Sequence, residues 1–171
     1  MDYSHKTFLK HAAKDFHNQS VNPPVVRAST ILFKSLNDIR KTQKKHLKDP
    51  IGGHFDYGRQ GTSTTYALSK ILTKLEESYH VFLTPTGFGS VFLAMFSVLR
   101  PEDEILVSDP VYGPTRILTQ DFFKDFNIKA IFYNPRDLST LKNNISKKTK
   151  LIFVENPGSN TFEFQDLSKI I

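Results

Sequence analysis

EILVSDPVYGPTRILTQDFFKDFNIKAIFYNPRDLSTLKNNISKKTKLIFVE, residues 104–155, alternates apolar β-rich runs with segments that suit helices. The runs lie at 104–108, 129–133 and 150–155, and none of them alternates strictly between apolar and polar residues. Strands that are covered on both faces have this composition. The segments between them, at 115–126 and 137–145, suit helices. Regular alternation of strands and helices predicts an α/β fold, with a mostly parallel sheet and helices on both faces.

Upstream of this stretch, apolar spacing predicts helices at 66–79 and 88–99, with a short apolar run at 81–85 expected to form a strand. The second helix is apolar almost all round, which is typical of a buried helix. The first 64 residues are irregular and hold at most one helix, at about 35–46. We therefore expect an extended N-terminal arm at 1–64 and the first part of a sheet domain at 65–171. A poorly ordered terminus is the alternative to an arm that embraces a neighbouring subunit.

Composition excludes several functional classes. The formal net charge is +6, but the lysines are scattered rather than gathered on one face with exposed aromatics, which argues against nucleic-acid binding. There are no cysteines, and the six histidines show no metal-ligand spacing, so we expect no metal site. No apolar run approaches the roughly 18 residues of a membrane span. The N-terminal residues lack the apolar core of a signal peptide, so we expect no membrane association and a cytoplasmic location.

Unusual residues occupy the turns where ligands bind in open α/β sheets, which are those at the carboxyl ends of strands. TPTGFGS, at 84–90, places Gly87 and the start of a helix where backbone N–H groups can hold a phosphate, and Ser90 adds a hydroxyl. DPVYGP, at 109–114, places Tyr112 at a strand end, where its ring could stack on a planar ligand or pack on the rim. ENPGSN, at 155–160, is by itself read as a structural turn.

The arm carries a further motif, FDYGRQGT at 55–62. The planar guanidinium of Arg59 could bind two phosphate oxygens at once. By itself, however, a tyrosine two residues before an arginine in a glycine loop indicates little. No Gly-x-Ser-x-Gly motif occurs, which argues against a serine hydrolase.

Five segments in this order resemble the Cys/Met-metabolism group of fold-type I enzymes, which depend on pyridoxal 5'-phosphate (PLP). The resemblance begins at about Val21 and runs to the end of the chain. It is carried by VNPPVVRASTILFKSL, FDYGRQGTSTTYALSKILTKLE, LTPTGFGSVFLAM, ILVSDPVYGPTRIL and LIFVENPGSNTFEFQDL. The third turn, Glu155-Asn156-Pro157-Gly158-Ser159, is nearer to the β-lyase branch than to the γ-acting branch, although a γ-synthase or γ-lyase relative remains an alternative.

The resemblance implies roles for particular residues. Tyr57 and Arg59 would bind the PLP phosphate of a neighbouring subunit. Gly87 and Phe88 would hold the phosphate in their own subunit through backbone amides, with Ser90 as a further donor. Tyr112 would stack on the pyridine ring and help orient the substrate, as the catalytic residue of this part of the chain.

The resemblance also implies a homo-oligomer and β-elimination of cystathionine to homocysteine, pyruvate and ammonia. It places the lysine that holds PLP, and the aspartate that pairs with the pyridine nitrogen, after Ile171. The stretch from Ser146 to Lys150 is similar to the Ser-x-Thr-Lys site of the family. It is one residue too long, however, and Lys150 leads into the predicted strand at 150–155, so Lys150 is not expected to hold PLP. We therefore expect the amino-terminal portion of a lyase, inactive alone, with a non-catalytic remnant of a truncated or split gene as the alternative.

Overall fold

The structure is a computed structural model that describes residues 21–171, so residues 1–20 of the predicted arm lie outside the described part of the chain. The chain divides into two compact units, of which the first ends at Leu83 and the second spans Thr84–Ile171. Among the described residues, no helix has the length and apolar character needed to cross a membrane. The contribution of an arm at 1–64 to a neighbouring subunit stays a prediction.

The first unit contains two helices, α1 (Leu36–Lys48) and α2 (Ser63–Leu75). Helix α1 begins after Ser35, whose Oγ accepts a hydrogen bond from the backbone N–H of Asp38 at 3.2 Å. Helix α2 begins after Thr62, whose backbone N–H donates to Thr65 Oγ1 at 2.9 Å. Both predicted helices are confirmed. The second begins three residues earlier than its apolar spacing indicates, since Ser63, Thr64 and Thr65 form a polar first turn that apolar spacing does not mark.

The strand predicted at 81–85 is wrong, because this segment pairs with no strand in the described part of the chain. Phe82 is 74% exposed, and the carbonyl oxygen of Val81 accepts a hydrogen bond from Ser69 Oγ at 2.5 Å. A short apolar run becomes a strand only where a neighbouring strand satisfies its backbone groups. Here a side chain of helix α2 takes one of those groups instead.

The second unit is built on a parallel sheet of three strands in the order β2-β1-β3. Every predicted strand and helix of this unit is present, with small shifts at the ends. A π-helical turn (Leu118–Phe122) joins α4 to α5 into one continuous helical segment. The elements are α3 (Gly87–Val98), β1 (Glu104–Ser108), α4 (Gly113–Ile117), α5 (Phe123–Asp125), β2 (Lys129–Tyr133), α6 (Leu138–Asn144), β3 (Thr149–Phe153) and α7 (Leu167–Ile170).

Alternate residues of the central strand β1 pack into separate apolar clusters, one on each face of the sheet. Ile105 and Val107 are fully buried in the cluster to which α3, the π-helical turn and α5 contribute. Leu106 is buried in the second cluster, with Leu141 of α6 and Tyr133 of β2. Helices therefore cover both faces of the sheet, which confirms the predicted α/β architecture and explains the lack of strict alternation in β1.

Helix α3 is less buried than its sequence indicates. Of its residues only Met95 is fully buried, whereas Leu93 is 48% and Phe96 is 38% exposed. A helix that lies on a sheet buries the stripe that faces the sheet, and the described part of the chain leaves the opposite side of α3 open.

Candidate functional site

The turn before α3 presents unpaired backbone donors. Thr86 caps the helix, and its Oγ1 accepts a hydrogen bond from the backbone N–H of Gly89 at 2.9 Å. No acceptor among the described residues binds the backbone N–H of Gly87 or Phe88. The position of a Cβ at Gly87 would have no neighbour within 4 Å, so this side of the turn is open. These donors at the positive end of a helix of 12 residues suit an oxyanion such as a phosphate.

The Ser90 hydroxyl is engaged within the same turn. Its Oγ lies 2.5 Å from Oγ1 of Thr84 and 3.5 Å from the carbonyl oxygen of Thr86. Ser90 is exposed and belongs to the first turn of α3. Its hydroxyl therefore lies next to the open amides but already has partners, which makes it a weaker candidate for a ligand than the backbone groups.

Tyr112 lies in the turn between β1 and α4, as expected, and its side chain is 51% exposed. The turn is held at its beginning by Arg116, whose guanidinium donates to the carbonyl oxygen and to Oδ1 of Asp109, the latter at 2.7 Å. The same guanidinium lies over the ring of Phe132, 4.1 Å from its centroid. No described residue hydrogen-bonds the Tyr112 hydroxyl, so the ring and its Oη are free to meet a ligand.

The turns after β1 and β3 are joined through Glu155. One carboxylate oxygen of Glu155 accepts a hydrogen bond from the backbone N–H of Tyr112 at 3.0 Å, and the other accepts from Ser159 Oγ at 2.5 Å. Gly158 packs against Pro110 so closely that a Cβ would lie 2.7 Å from the proline ring. The sequence of residues 155–160 alone indicates only a structural turn. A carboxylate two residues after the end of β3 was the signal that could have indicated a partner.

The start of α3 and the start of α4 meet in an open apolar depression of about 430 Å³. Phe88 lines it from the α3 side, next to the unpaired amides, and Pro114 lines it two residues after Tyr112. The depression thus adjoins the open amides through Phe88 and the Tyr112 turn through Pro114, whereas Gly87, Ser90 and Tyr112 do not line it. The lining residues are Phe88, Phe92, Pro114, Ile117, Leu118 and Phe122.

Tyr57 and Arg59 lie together in the first unit. The Arg59 guanidinium carbon is 5.5 Å from the centroid of the Tyr57 ring, and both residues are exposed. The Tyr57 hydroxyl accepts a hydrogen bond from Ser29 Oγ at 3.2 Å, and Gly58 N–H donates to the Ser29 carbonyl at 2.7 Å. The cation–π contact keeps the Arg59 fork near the ring and exposed to solvent, so it can still bind an anion.

The residue before this pair is held by polar contacts that the sequence did not indicate. Gln43 of α1 donates to Oδ2 of Asp56 at 2.8 Å, and this hydrogen bond lowers the pKa of the Asp56 carboxyl. The Asp56 backbone N–H donates to Gln60 Oε1 at 3.2 Å. Because these partners flank Tyr57 and Arg59, they stabilise the turn that presents them.

The geometry fits the cofactor that the resemblance implies. Open backbone amides at the start of α3 suit its phosphate, and the exposed ring of Tyr112 before α4 suits a planar heterocycle.

Comparisons with known proteins agree with this fit. The sequence model of the family described as Cys/Met metabolism PLP-dependent enzyme matches residues 6–171. A relative provisionally named cystathionine beta-lyase, from Rhizobium johnstonii, is 36% identical over 157 residues, covering 91% of this chain and 37% of the relative. The cystathionine beta-lyase of Haemophilus influenzae is 32% identical over 174 residues, covering 99% of this chain and 42% of the relative.

Solved structures show the same fold. The crystal structure of cystathionine gamma-lyase from Lactobacillus plantarum, complexed with L-serine, matches with a TM-score of 0.82 and 24% identity. The match covers 98% of this chain and 41% of that chain. The chain thus spans about two fifths of the length of the curated relatives it matches.

Proposed function

Because this chain belongs to the Cys/Met metabolism PLP-dependent enzymes, we propose that it is the amino-terminal part of a carbon–sulfur lyase that cleaves cystathionine. The observation that supports this most is the open pair of amides of Gly87 and Phe88 at the start of α3, together with the exposed ring of Tyr112 directly before α4. The β-lyase names of relatives at 32% and 36% identity favour β-elimination as the reaction.

In this proposal the residues of the chain bind and orient. The amides of Gly87 and Phe88 bind the phosphate of PLP, and the hydroxyl of Ser90 lies beside them. The ring of Tyr112 would stack on the cofactor, and its Oη, which no described residue binds, would help orient the substrate. When bound, PLP supplies a sink for the electrons left on the substrate Cα after its proton is removed.

The lysine that removes this proton is assigned to a segment outside the 171 residues. The chain together with that segment is hereafter the complete enzyme. It converts cystathionine and water to homocysteine, pyruvate and ammonia. We propose that it works in the cytoplasm as a homo-oligomer.

The test is to supply cystathionine and PLP to the complete enzyme and to identify the 2-oxo acid that is released. Pyruvate, with homocysteine in equal amount, is the expected product. Release of 2-oxobutyrate with cysteine would mean cleavage on the γ side, as in the relative of known structure named for that reaction. Release of neither acid would exclude both lyase reactions.

The isolated chain is the second case to test, since a non-catalytic remnant is the alternative. We expect no stable covalent bond between PLP and the chain alone. Incubation with PLP, borohydride reduction and peptide mass spectrometry check this expectation. A stoichiometric pyridoxyl label on one lysine, for instance Lys150, would contradict it.

The role proposed for Tyr57 and Arg59 can be tested in mixed oligomers. We expect Arg59→Ala to weaken PLP binding in the neighbouring subunit, because the Arg59 guanidinium is exposed and has no carboxylate partner among the described residues. Hybrids of Arg59→Ala with a variant lacking the PLP lysine should then contain functional sites. Hybrids that are no more active than their parents would contradict a role across subunits.

A further inference from the structure

In the described part of the chain, the carboxylate of Glu155 accepts the one hydrogen bond that joins the backbone of Tyr112 to the turn after another strand. Its two oxygens have separate partners, the backbone N–H of Tyr112 at 3.0 Å and Ser159 Oγ at 2.5 Å. Glu155 lies 43 residues from Tyr112 along the sequence. The contact therefore exists only because β3 pairs directly with β1.

This contact matters because packing does little to fix Tyr112. Its side chain is 51% exposed, and no described residue bonds its hydroxyl. Tyr112 is the last residue before α4, and its backbone N–H donates to the Glu155 carboxylate. Such a charge-assisted hydrogen bond is stronger than one between neutral groups. This hydrogen bond thus fixes the backbone position from which the ring projects.

We infer that Glu155 is a positioning residue, which orients Tyr112 by holding its backbone N–H, and that Ser159 in turn orients the Glu155 carboxylate. The inference rests on the proposed function, because it gives Tyr112 its role toward PLP and substrate. Arg116 holds Asp109 at the other end of the same turn, so the turn is fixed from both ends. Loss of the Glu155 contact would leave the backbone N–H of Tyr112 without its acceptor, while Pro110 would still accept a hydrogen bond from the backbone N–H of Ser159 at 2.8 Å.

Backbone hydrogen exchange tests the contact without cofactor or substrate. In the complete enzyme without PLP, Glu155→Ala should speed exchange of the Tyr112 amide by about tenfold or more, the factor expected for a hydrogen bond to a charged group. Glu155→Gln keeps an acceptor oxygen and should preserve most of the protection. Glu163→Ala is the matched control, because Glu163 lies in the same region but pairs with Arg136 at 3.1 Å. It should leave exchange at Tyr112 unchanged.

Kinetics of variants tests whether Glu155 acts through Tyr112. Glu155→Ala should lower kcat/KM for cystathionine by roughly tenfold to a hundredfold, as expected for a misplaced group. The visible circular dichroism of bound PLP should change with it, because this signal depends on the ring stacked against the cofactor. In the Tyr112→Ala background, Glu155→Ala should lower kcat/KM little further, because the effects of substituting two residues that act as a unit are not additive. Glu163→Ala should behave as the unaltered enzyme does.

The outcomes are separable. Unchanged exchange at Tyr112 in Glu155→Ala would overturn the inference, and so would an equal loss of kcat/KM in both backgrounds. If the unaltered complete enzyme bound no PLP and released no 2-oxo acid, the proposed function would fail. The exchange result would then decide whether the contact between Glu155 and Tyr112 still stands.

Discussion

Gly58 and Gly87 lack a side chain for different reasons. A Cβ at Gly58 would come 1.8 Å from the carbonyl oxygen of Ala28, which is main chain and cannot move aside alone. A Cβ at Gly87 would have no neighbour within 4 Å. Glycine at 58 therefore allows two backbone segments of the first unit to approach, whereas glycine at 87 leaves space beside the amides.

This contrast predicts opposite results for the two alanine variants. Gly58→Ala should lower the free energy of unfolding by about 1–3 kcal/mol, as overpacking does. Gly87→Ala should change it by less than about 1 kcal/mol and should weaken PLP binding by the complete enzyme instead. Urea unfolding and PLP titration measure both. A Gly58→Ala variant as stable as the parent would show that the approach of the two segments is not required.

Burial displaces the pKa of Tyr133, a residue of β2. Its ring is buried, and burial raises the pKa of its hydroxyl to about 12, while the hydroxyl donates to Gln165 Oε1 at 2.7 Å. The folded protein thus binds this proton more tightly than the unfolded chain does. The stability that results is complete below the unfolded pKa of about 10 and is lost as pH rises toward 12.

Tyr133→Phe should therefore flatten the alkaline part of the stability profile. At about pH 8 the variant should be less stable by about 1–3 kcal/mol, because Gln165 loses a buried partner. At about pH 11 its deficit should be smaller, since the parent has lost part of its advantage. Urea midpoints at both pH values measure this. Tyr79→Phe, at a side chain that is 90% exposed, is the control and should follow the parent at both.

The N-terminus of α3 is the part of that helix that contributes to the candidate site. The cap at Thr86 fixes where α3 begins and hence which amides stay open. Thr86→Ala should lower the free energy of unfolding by about 1 kcal/mol and loosen the turn before Gly87. Thr86→Ser retains the accepting oxygen and should restore most of that stability. Urea unfolding measures it, and equal losses in both variants would assign the effect to the methyl group rather than to the cap.

The helical segment after β1 shows what elements add beyond their sequence pattern. Apolar spacing indicates a regular helix there, whereas the structure contains a π-helical turn (Leu118–Phe122). Thr119 Oγ1 donates to the carbonyl oxygens of Thr115 and Arg116, each at 3.0 Å. The altered backbone pattern and this hydroxyl depend on local packing, and helical periodicity does not reveal them.

The second unit has a partly exposed aromatic surface. Phe96, Phe122 and Phe126 are each about two fifths exposed, and their rings are in contact, with centroids 4.9 Å apart for the last two and 5.6 Å apart for Phe96 and Phe126. Exposed apolar patches promote association. The 171-residue chain expressed alone should therefore aggregate, as incomplete burial of α3 also indicates.

A charge on this surface should reduce that aggregation. Phe126→Glu should increase the soluble fraction and lower light scattering, because its side chain is 42% exposed and can hydrate a carboxylate. Phe123→Glu, at a fully buried position of the same segment, should unfold the second unit instead. A soluble, monomeric parent chain that unfolds cooperatively would contradict the prediction.

The sequence by itself determined the local features of this protein. Apolar periodicity and capping residues act over a few positions, so the helices, the parallel strands and the helix start at Gly87 were predictable from neighbours in the chain. The motifs around Tyr57, Gly87 and Tyr112 were recognisable because they are contiguous. The apolar run at 81–85 was the exception, since a strand requires a partner that local sequence does not reveal.

Only the tertiary structure decided which distant segments meet. The strand order β2-β1-β3 brings the carboxyl end of β3 beside that of β1, and this places Glu155 against the backbone of Tyr112. It also decided that α3 buries one stripe and leaves Phe96 partly exposed. These contacts join residues far apart in the chain, and their free energy depends on strand order and packing, which hydrophobic periodicity does not encode.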